Sequence, residues 1–413
     1  MTELGEIPHE WEVNNGFIKI KSGFGFKLRE YELEGIPLIR INNVMYGEII
    51  NEDLCYLPCS YLNNYKEFVL KKGDVLLALN RPITNNKLKI GKITEGPSIL
   101  YQRVGKLEMD GNRYHSDFYF HYMQSESFIN RLNNSLVGTD QPYIKTSEFE
   151  NLKFVVPTLE EQEKIASILS TVDEQINNVE ALIKKNKELK KGLMQTLLTK
   201  GIGHTKFKKT EIGEIPEEWE VKRVGDITEI KTGGTPSTKC EEYWKDGRIP
   251  WMVSGDVNKG IINSVDGRIT ESGMNNSAAK LLPKDTVMIA LNGQGKTKGT
   301  VAYLNIEVTC NQSLAGFLPK EEKFYSKYLF YNLQNRYSEI RGLTGDGARN
   351  GLNLGILRDI LIPLPSIEEQ RRTASILSQI DEKIEEYENK KQKLEEIKKG
   401  LMQQLLTGKL RVK

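Results

Sequence analysis

PTLEEQEKIASILSTVDEQI, at Pro157–Ile176, returns as PSIEEQRRTASILSQIDEKI at Pro365–Ile384, displaced by 208 residues. Each copy reads as the start of a helix. Pro157 and Pro365 mark the first turn, where an amide donor is not needed, and the acidic pairs Glu160–Glu161 and Glu368–Glu369 lie where the helix dipole favours negative charge. Ile165, Leu169, Val172, Ile176, Val179 and Ile183 then follow at alternating four- and three-residue steps. That is heptad spacing, which draws one narrow apolar seam along a helix. Leu377, Ile380, Ile384, Tyr387 and Leu394 trace a similar seam in the second copy, with Asn186 and Lys391 on or near the two stripes. Gly201 and Gly408 supply C-terminal stops. A helix of about 40 residues spans roughly 60 Å. A narrow seam cannot be left in water, and two such helices in one chain can bury theirs against each other, antiparallel around the module between them. The alternative is that each folds back onto its neighbouring domain.

Two further matches share the displacement. GEIPHEWEV at Gly5–Val13 returns as GEIPEEWEV at Gly213–Val221, and KGLMQTLLT at Lys191–Thr199 as KGLMQQLLT at Lys399–Thr407. Three matches at one offset make the chain a tandem duplication, a pseudo-two-fold repeat. Residues 14–150 and 222–358, between the matching pieces, share only echoes: GIPLIRINNV at Gly35–Val44 with GRIPWMVSGDV at Gly247–Val257, and DVLLALN at Asp74–Asn80 with DTVMIALN at Asp285–Asn292. A preserved frame with two differentiated inserts suggests two modules doing one job on different targets; drift after duplication is the plainer account. The inserts read as strand-rich mixed domains, with strands at Ile36–Val44, Asp74–Leu79, Val287–Leu291 and Thr300–Leu304 and helices at Asp117–Leu132 and Tyr325–Arg341. The expected class is α+β, with domains over 1–155 and 201–362 and long helices over 156–200 and 363–413.

Composition narrows the class. The chain has 413 residues, 38% hydrophobic and 28% charged, as expected of globular domains rather than a disordered tail. No apolar window approaches a membrane span, and the N-terminus MTELGEIPHEWEV lacks the apolar core of a secretory signal. The cysteines Cys55, Cys59, Cys240 and Cys310 form no CxxC pair, so neither zinc nor a disulfide framework is expected, and a cytoplasmic location is. Net charge is only +2, too small to announce a nucleic-acid binder, although residues 222–358 hold 19 basic against 14 acidic side chains.

Several polar loops are candidates for contact with nucleic acid. Ala290-Leu-Asn-Gly-Gln-Gly-Lys-Thr297 fits a relaxed phosphate-loop pattern, but KGTVAYL after it reads as a strand, where a phosphate loop needs a helix N-terminus. Asn292, Gln294 and Lys296 instead offer donors suited to base edges and phosphates, with a solvated hairpin as the alternative. Asn80 and Arg81 stand at the corresponding place in the first half, and Arg40 and Asn42 lie in its shared GIPLIRINNV segment. Lys231, Thr232 and Thr235 belong to a small polar turn, KTGGTPST, matched by Lys21 before SGFGF; its glycines suit close backbone approach to another chain or to DNA, but equally a plain turn. Gln141 and Tyr143 in GTDQPY, and Arg349 and Asn350 in GLTGDGARN, precede the two long helices at matched positions. No GxSxG, HExxH or Asn/Asp-Pro-Pro-aromatic motif occurs, and no catalytic residue is expected.

Together, the paired GEIP-x-E-W-E-V, P-x-x-E-E-Q, ASIL and KGLMQ segments and the Thr232-Gly-Gly-Thr-Pro236 run resemble the specificity subunits of Type I restriction-modification enzymes over the whole chain. The resemblance implies a non-catalytic, DNA-binding protein whose two target-recognition domains each read one half of an asymmetric, interrupted site in double-stranded DNA. It implies an antiparallel coiled coil that sets the spacer and docks two methyltransferase subunits. It places S-adenosylmethionine on those partners, and ATP and Mg2+ on restriction and translocase subunits, with no cofactor on this chain. The first half lacks a Thr-Gly-Gly-Thr-Pro run, which leaves its DNA-facing loops harder to place. The alternatives are a recognition subunit for a Type II-like combined nuclease-methyltransferase, a coiled-coil scaffold without DNA activity, and a phosphate-loop enzyme.

Overall fold

The computed structural model describes residues 4–293, 295–320, 322–344 and 351–412. It divides into two compact units: Met1–Glu180 with Asn389–Lys413, and Ala181–Glu388. Both boundaries fall inside the long helices, which run over Leu159–Leu197 and Ile367–Leu405. Each helix opens on a capping hydroxyl. Thr158 Oγ1 accepts from the Glu161 amide and Ser366 Oγ from the Glu369 amide, both at 3.3 Å, satisfying donors that have no partner inside the helix.

The first unit holds two four-stranded sheets. One orders Lys19–Ser22, Val104–Glu108, Val75–Ala78 and Ile90–Lys92, all antiparallel. The other orders Cys55–Leu57, Ile36–Ile39, Ser98–Leu100 and Val69–Leu70, in which Ile36–Ile39 and Ser98–Leu100 run parallel. The second unit has a five-stranded sheet, ordered Ile230–Thr232, Leu314–Phe317, Val287–Ala290, Val301–Leu304 and Ile261–Ile262, and a three-stranded one around Ile249–Met252. A short ribbon closes each domain: Glu12 pairs with Val156, and Glu220 with Leu364, both residues displaced by 208.

The expected strands shorten. Ile36–Val44 is a strand only to Ile39, because the Asn43 side chain accepts from the Arg40 amide at 3.0 Å and winds Ile41–Asn43 into a helical turn. The expected helix Asp117–Leu132 is two, Ser116–Met123 and Glu126–Ser135, since Ser125 Oγ caps the second by accepting from the Phe128 amide. Tyr325–Arg341 likewise divides into Ser326–Asn335 and Tyr337–Gly342.

The apolar seam serves two partners. Ile165 and Leu169 of the first long helix lie in the same buried core as Phe118, Tyr119 and Phe154, joined there by Leu405 at the end of the second and Leu406 just beyond it. In the other unit Leu377 shares a core with Leu197, Leu198, Tyr328 and Phe317. The head of each helix therefore packs on its own domain, while Ile176, Val179, Ile380 and Ile384 are buried farther along. Ion pairs tie the helices across the seam. In the first unit Asp173 meets Lys398 at 2.6 Å and Glu180 meets Lys391 at 2.7 Å. In the second Lys187 meets Glu388 at 2.6 Å and Lys190 meets Asp381 at 2.7 Å. In both, partner numbers fall as those of the first helix rise, so within each unit the helices are antiparallel.

His121, buried against the first long helix, carries a pH dependence. Its Nε2 lies 3.0 Å from Ser170 Oγ, and burial pushes the imidazole down to about 3, with Lys398 and Lys92 acting the same way. Asp117 opposes them but does not offset the loss of solvation. The Asp173 carboxylate lies 3.7 Å from Nδ1. Below the ordinary value of 6.5 the unfolded chain takes a proton that the folded one refuses, so this stability is complete above pH 6.5 and falls away toward pH 3. Between pH 6.5 and 5 the loss should be about 2 kcal/mol. Urea midpoints for the protein and a His121→Gln variant would show it: the variant should have the flatter acid limb, and parallel limbs would refute the assignment.

Candidate nucleic-acid interface

In the first unit three loops open from one end of the antiparallel sheet. Ala78 pairs with Val104, and the next amide, Leu79, donates to the Arg103 carbonyl at 2.9 Å. Ser22, at the end of its strand, pairs with Gly105 on the same edge. The chain therefore turns at 22–26, 79–82 and 101–103 side by side. Arg81 and Arg103 both sit in the left-handed region, at φ 45° and 69°, which few residues with a side chain adopt. Backbone strain of this kind concentrates where a side chain must be aimed.

The structure brings most of the sequence candidates of this unit into two groups on that rim. Asn80 bridges Tyr143, Arg81 N donates to Pro142 O at 2.7 Å, and Tyr143 exchanges bonds with Val137, so Asn80, Arg81, Gln141 and Tyr143 stand together. Arg40 and Asn42 line an open cleft with Tyr101, Gln102 and Arg103. Arg40 is steadied by donating to the Asp53 carbonyl at 2.8 Å. Lys21 stays apart: it is paired within a strand, its ammonium 5.7 Å from the centre of the Phe68 ring.

The second unit repeats the arrangement with other side chains. Leu352 N donates to Leu291 O at 2.9 Å, and Gly351 lies so near Asn292 that a side chain there would collide with it. The loop after Asn292 is held by Tyr337, whose hydroxyl donates to Lys296 O at 2.9 Å, and by Lys298, whose ammonium meets Thr344 Oγ1 at 2.9 Å. The Lys296 side chain remains exposed. Gln294, Arg349 and Asn350 lie outside the described residues. Val301–Leu304 runs antiparallel to Val287–Ala290, so a strand, not a helix N-terminus, follows the loop, as its sequence indicates.

KTGGTPST lies on the matching rim, but its glycines serve the chain itself. A Cβ on Gly233 would strike the Cys310 carbonyl and one on Gly234 would strike Ala278, so internal packing by itself requires both glycines. Thr232 pairs with Ala315 in the sheet, and Lys231 lies 3.5 Å from Glu229. Thr235 is exposed, its hydroxyl donating to Gln312 Oε1 at 2.6 Å.

The repeated motifs have a second use that their spacing did not reveal. Glu161, only 4% exposed, accepts from the Trp11 indole at 2.8 Å and from Arg411 Nε at 2.6 Å. Glu369 accepts from the Trp219 indole and the Ile202 amide, both at 3.0 Å, with His204 Nε2 also at 3.0 Å. The neighbouring glutamines are fully buried. Gln162 takes the His115 amide at 2.8 Å and gives to Pro157 O at 2.9 Å; Gln370 takes the Tyr325 amide at 2.8 Å and gives to Pro365 O at 2.9 Å. The paired motifs are thus a joint that fixes each domain to the head of its helix.

Comparison with known proteins finds the same plan. The family described as Type I restriction modification DNA specificity domain matches residues 8–191 and again 216–397. The MjaX specificity subunit of a type I restriction enzyme from Methanocaldococcus jannaschii is 31% identical over 427 aligned positions, covering 100% of this chain and 96% of its own. The MjaVIII specificity subunit from the same organism is 42% identical over 205 positions, 48% of each chain. In fold, the chain is similar to the S subunit of the type I restriction-modification system of M. genitalium, with a TM-score of 0.66 at 18% identity and 98% of both chains covered. No helix is long and apolar enough to cross a membrane among the described residues.

Proposed function

Because the chain belongs to the family of Type I restriction-modification specificity subunits, we propose that it reads a two-part site in duplex DNA on behalf of partner subunits. The domains within 1–155 and 201–362 each take one half-site. The observation that carries this reading is the pair of matched loop rims, built on one frame yet bearing different side chains: Asn80, Arg81 and Tyr143 on one, Asn292 and Lys296 on the other. Equal frames present two readers to DNA in equivalent ways, and unequal loops select different bases.

The long helices form the spacer, packed as an antiparallel coiled coil; the ion pairs and their order within each unit support this. They also dock two methyltransferase subunits. Leu189 and Ile397, displaced by 208 residues and each about half exposed, provide two equivalent apolar contacts on the helices. In this arrangement the chain performs no chemistry of its own. S-adenosylmethionine is bound by the methyltransferase subunits, and ATP and Mg2+ by the restriction and translocase subunits.

Exchanging residues 222–358 for the corresponding domain of a relative tests the division of labour. Mapping methylated positions in cells that express the hybrid with the methyltransferase should show one half-site replaced and the other retained. A change in both half-sites would overturn it, and an absence of any sequence preference in the parent complex would favour a scaffold.

A further inference from the structure

Both loop rims carry a glutamine at the same place in the fold. Leu100-Tyr-Gln-Arg-Val104 and Cys310-Asn-Gln-Ser-Leu314 agree only at Gln102 and Gln312. Leu100 pairs in parallel with Ile39, and Cys310 in parallel with Met252. Two residues beyond each glutamine begins the strand that runs antiparallel to the glycine-loop strand, Val104–Glu108 against Lys19–Ser22 and Leu314–Phe317 against Ile230–Thr232. Gly23 and Gly233 press on the carbonyls just before the glutamines, so the two turns are set by the same close approach.

We propose that Gln102 and Gln312 are matched base-reading side chains, one in each target-recognition domain, and that their unmatched neighbours set which base pairs each domain accepts. The inference rests on the DNA-reading function proposed above. Both glutamines are exposed at the tip of a turn beside buried strand ends, Leu100 and Val104 or Cys310 and Leu314, which is where a reader must stand and where packing does not require an amide. A side chain retained on two rims that otherwise diverged points to a contact common to both half-sites. Glutamine pairs in bidentate fashion with N6 and N7 of adenine in the major groove. Thr235 holds the Gln312 amide by donating to its Oε1, and Gln102 Nε2 lies 3.3 Å from the Tyr101 hydroxyl, so neither amide swings freely.

The surroundings differ as two specificities require. Arg40 and Val253 occupy equivalent positions, each with its amide bonded at 3.0 Å to the side chain three residues on, Asn43 or Asp256. Around Gln102 stand Arg40, Asn42 and Arg103; the equivalent positions around Gln312 are Val253, Gly255 and Ser313. Arginine suits guanine, while an exposed valine suits the thymine methyl group.

Selection from a pool of randomised duplexes by the full chain, complexed with its methyltransferase subunits, tests this. Gln102→Ala should relax one base pair of one half-site by about ten- to hundredfold and leave the other half-site intact; Gln312→Ala should do the reverse. Gln312→Glu keeps the acceptor for Thr235 but favours cytosine N4, so the preferred base at that position should change from adenine to cytosine. Uniform weakening across all sequences, or unchanged preferences in both alanine variants, would overturn the assignment. If the unaltered complex selects a two-part sequence while the variants behave like it, the glutamine proposal fails alone; if the unaltered complex selects nothing, the DNA-reading function fails with it.

Discussion

Replacing Gln162 with leucine should lower the stability of the first unit by about 2–5 kcal/mol, although leucine is no smaller and opens no cavity. The cost comes from what is left behind. Gln162 is fully buried and serves the His115 amide, the Pro157 carbonyl and, at 3.2 Å, the Arg113 carbonyl. Leucine serves none of them, and each buried backbone group without a partner costs about 1–3 kcal/mol. Glutamate is no remedy, since it keeps the acceptor for His115 but brings an unpaired carboxylate into a dry site. Hydrogen exchange would locate the damage. Amides over 115–119 and 159–165 should lose protection in Gln162→Leu, while 325–329 and 367–373 in the other unit retain theirs. Gln370→Leu should give the mirror pattern. Retained protection at 115–119 would show that the joint is not what holds the helix head to the domain.

That joint also marks where sequence reading stops. The repeat of 208 residues and the heptad steps are legible because they need only residue spacing, and the structure places long helices over both. The carboxylates Glu161 and Glu369 read naturally as helix-dipole partners, since their first-turn position is visible and their true contacts are not. Each bonds an indole 150 residues earlier in the chain, a distance at which no local pattern survives. The loop candidates divide in the same way. Asn80 and Tyr143 come together across a bridge that propensity cannot anticipate, and Gln102 gives no signal in the sequence because a single polar residue in a turn carries no period. Lys21 and Lys231 read as cations ahead of glycines, yet alternation along a strand turns each toward a partner within its own domain, Phe68 or Glu229. The Gly-Gly of KTGGTPST reads equally as room for another chain or DNA and as a plain turn; Cys310 and Ala278 occupy the space its missing side chains leave.

Removing one heptad from each long helix, residues 177–183 and 388–394, should change the spacer of the DNA site without altering either half-site. Deleting whole heptads keeps the apolar seam in phase, so the helices can still pair. The cut removes both members of the Glu180–Lys391 ion pair together; Lys187 loses its partner Glu388, but that pair is exposed and contributes little. Seven residues shorten a helix by about 10 Å, which matches about three base-pair steps of a duplex. Those steps also turn the second half-site by roughly 100° around the duplex, because about 10 base pairs complete a turn. The shortened chain therefore cannot engage both halves of the original site, and methylation there should fall by about a thousandfold or more, the margin that separates specific from non-specific binding. Sites with the same half-sequences and a spacer about three base pairs shorter should become the preferred ones. Mapping methylated positions across a genome reads both results at once. An unchanged spacer would show that the helices do not set the distance, and altered half-sites would show that base reading extends into them. The domains and the helices can be varied separately only if the joint at Trp11, Glu161 and Gln162, and its counterpart at Trp219, Glu369 and Gln370, keeps each reader rigidly on its rod; a reader that swivelled there would blur the spacer even with both helices intact.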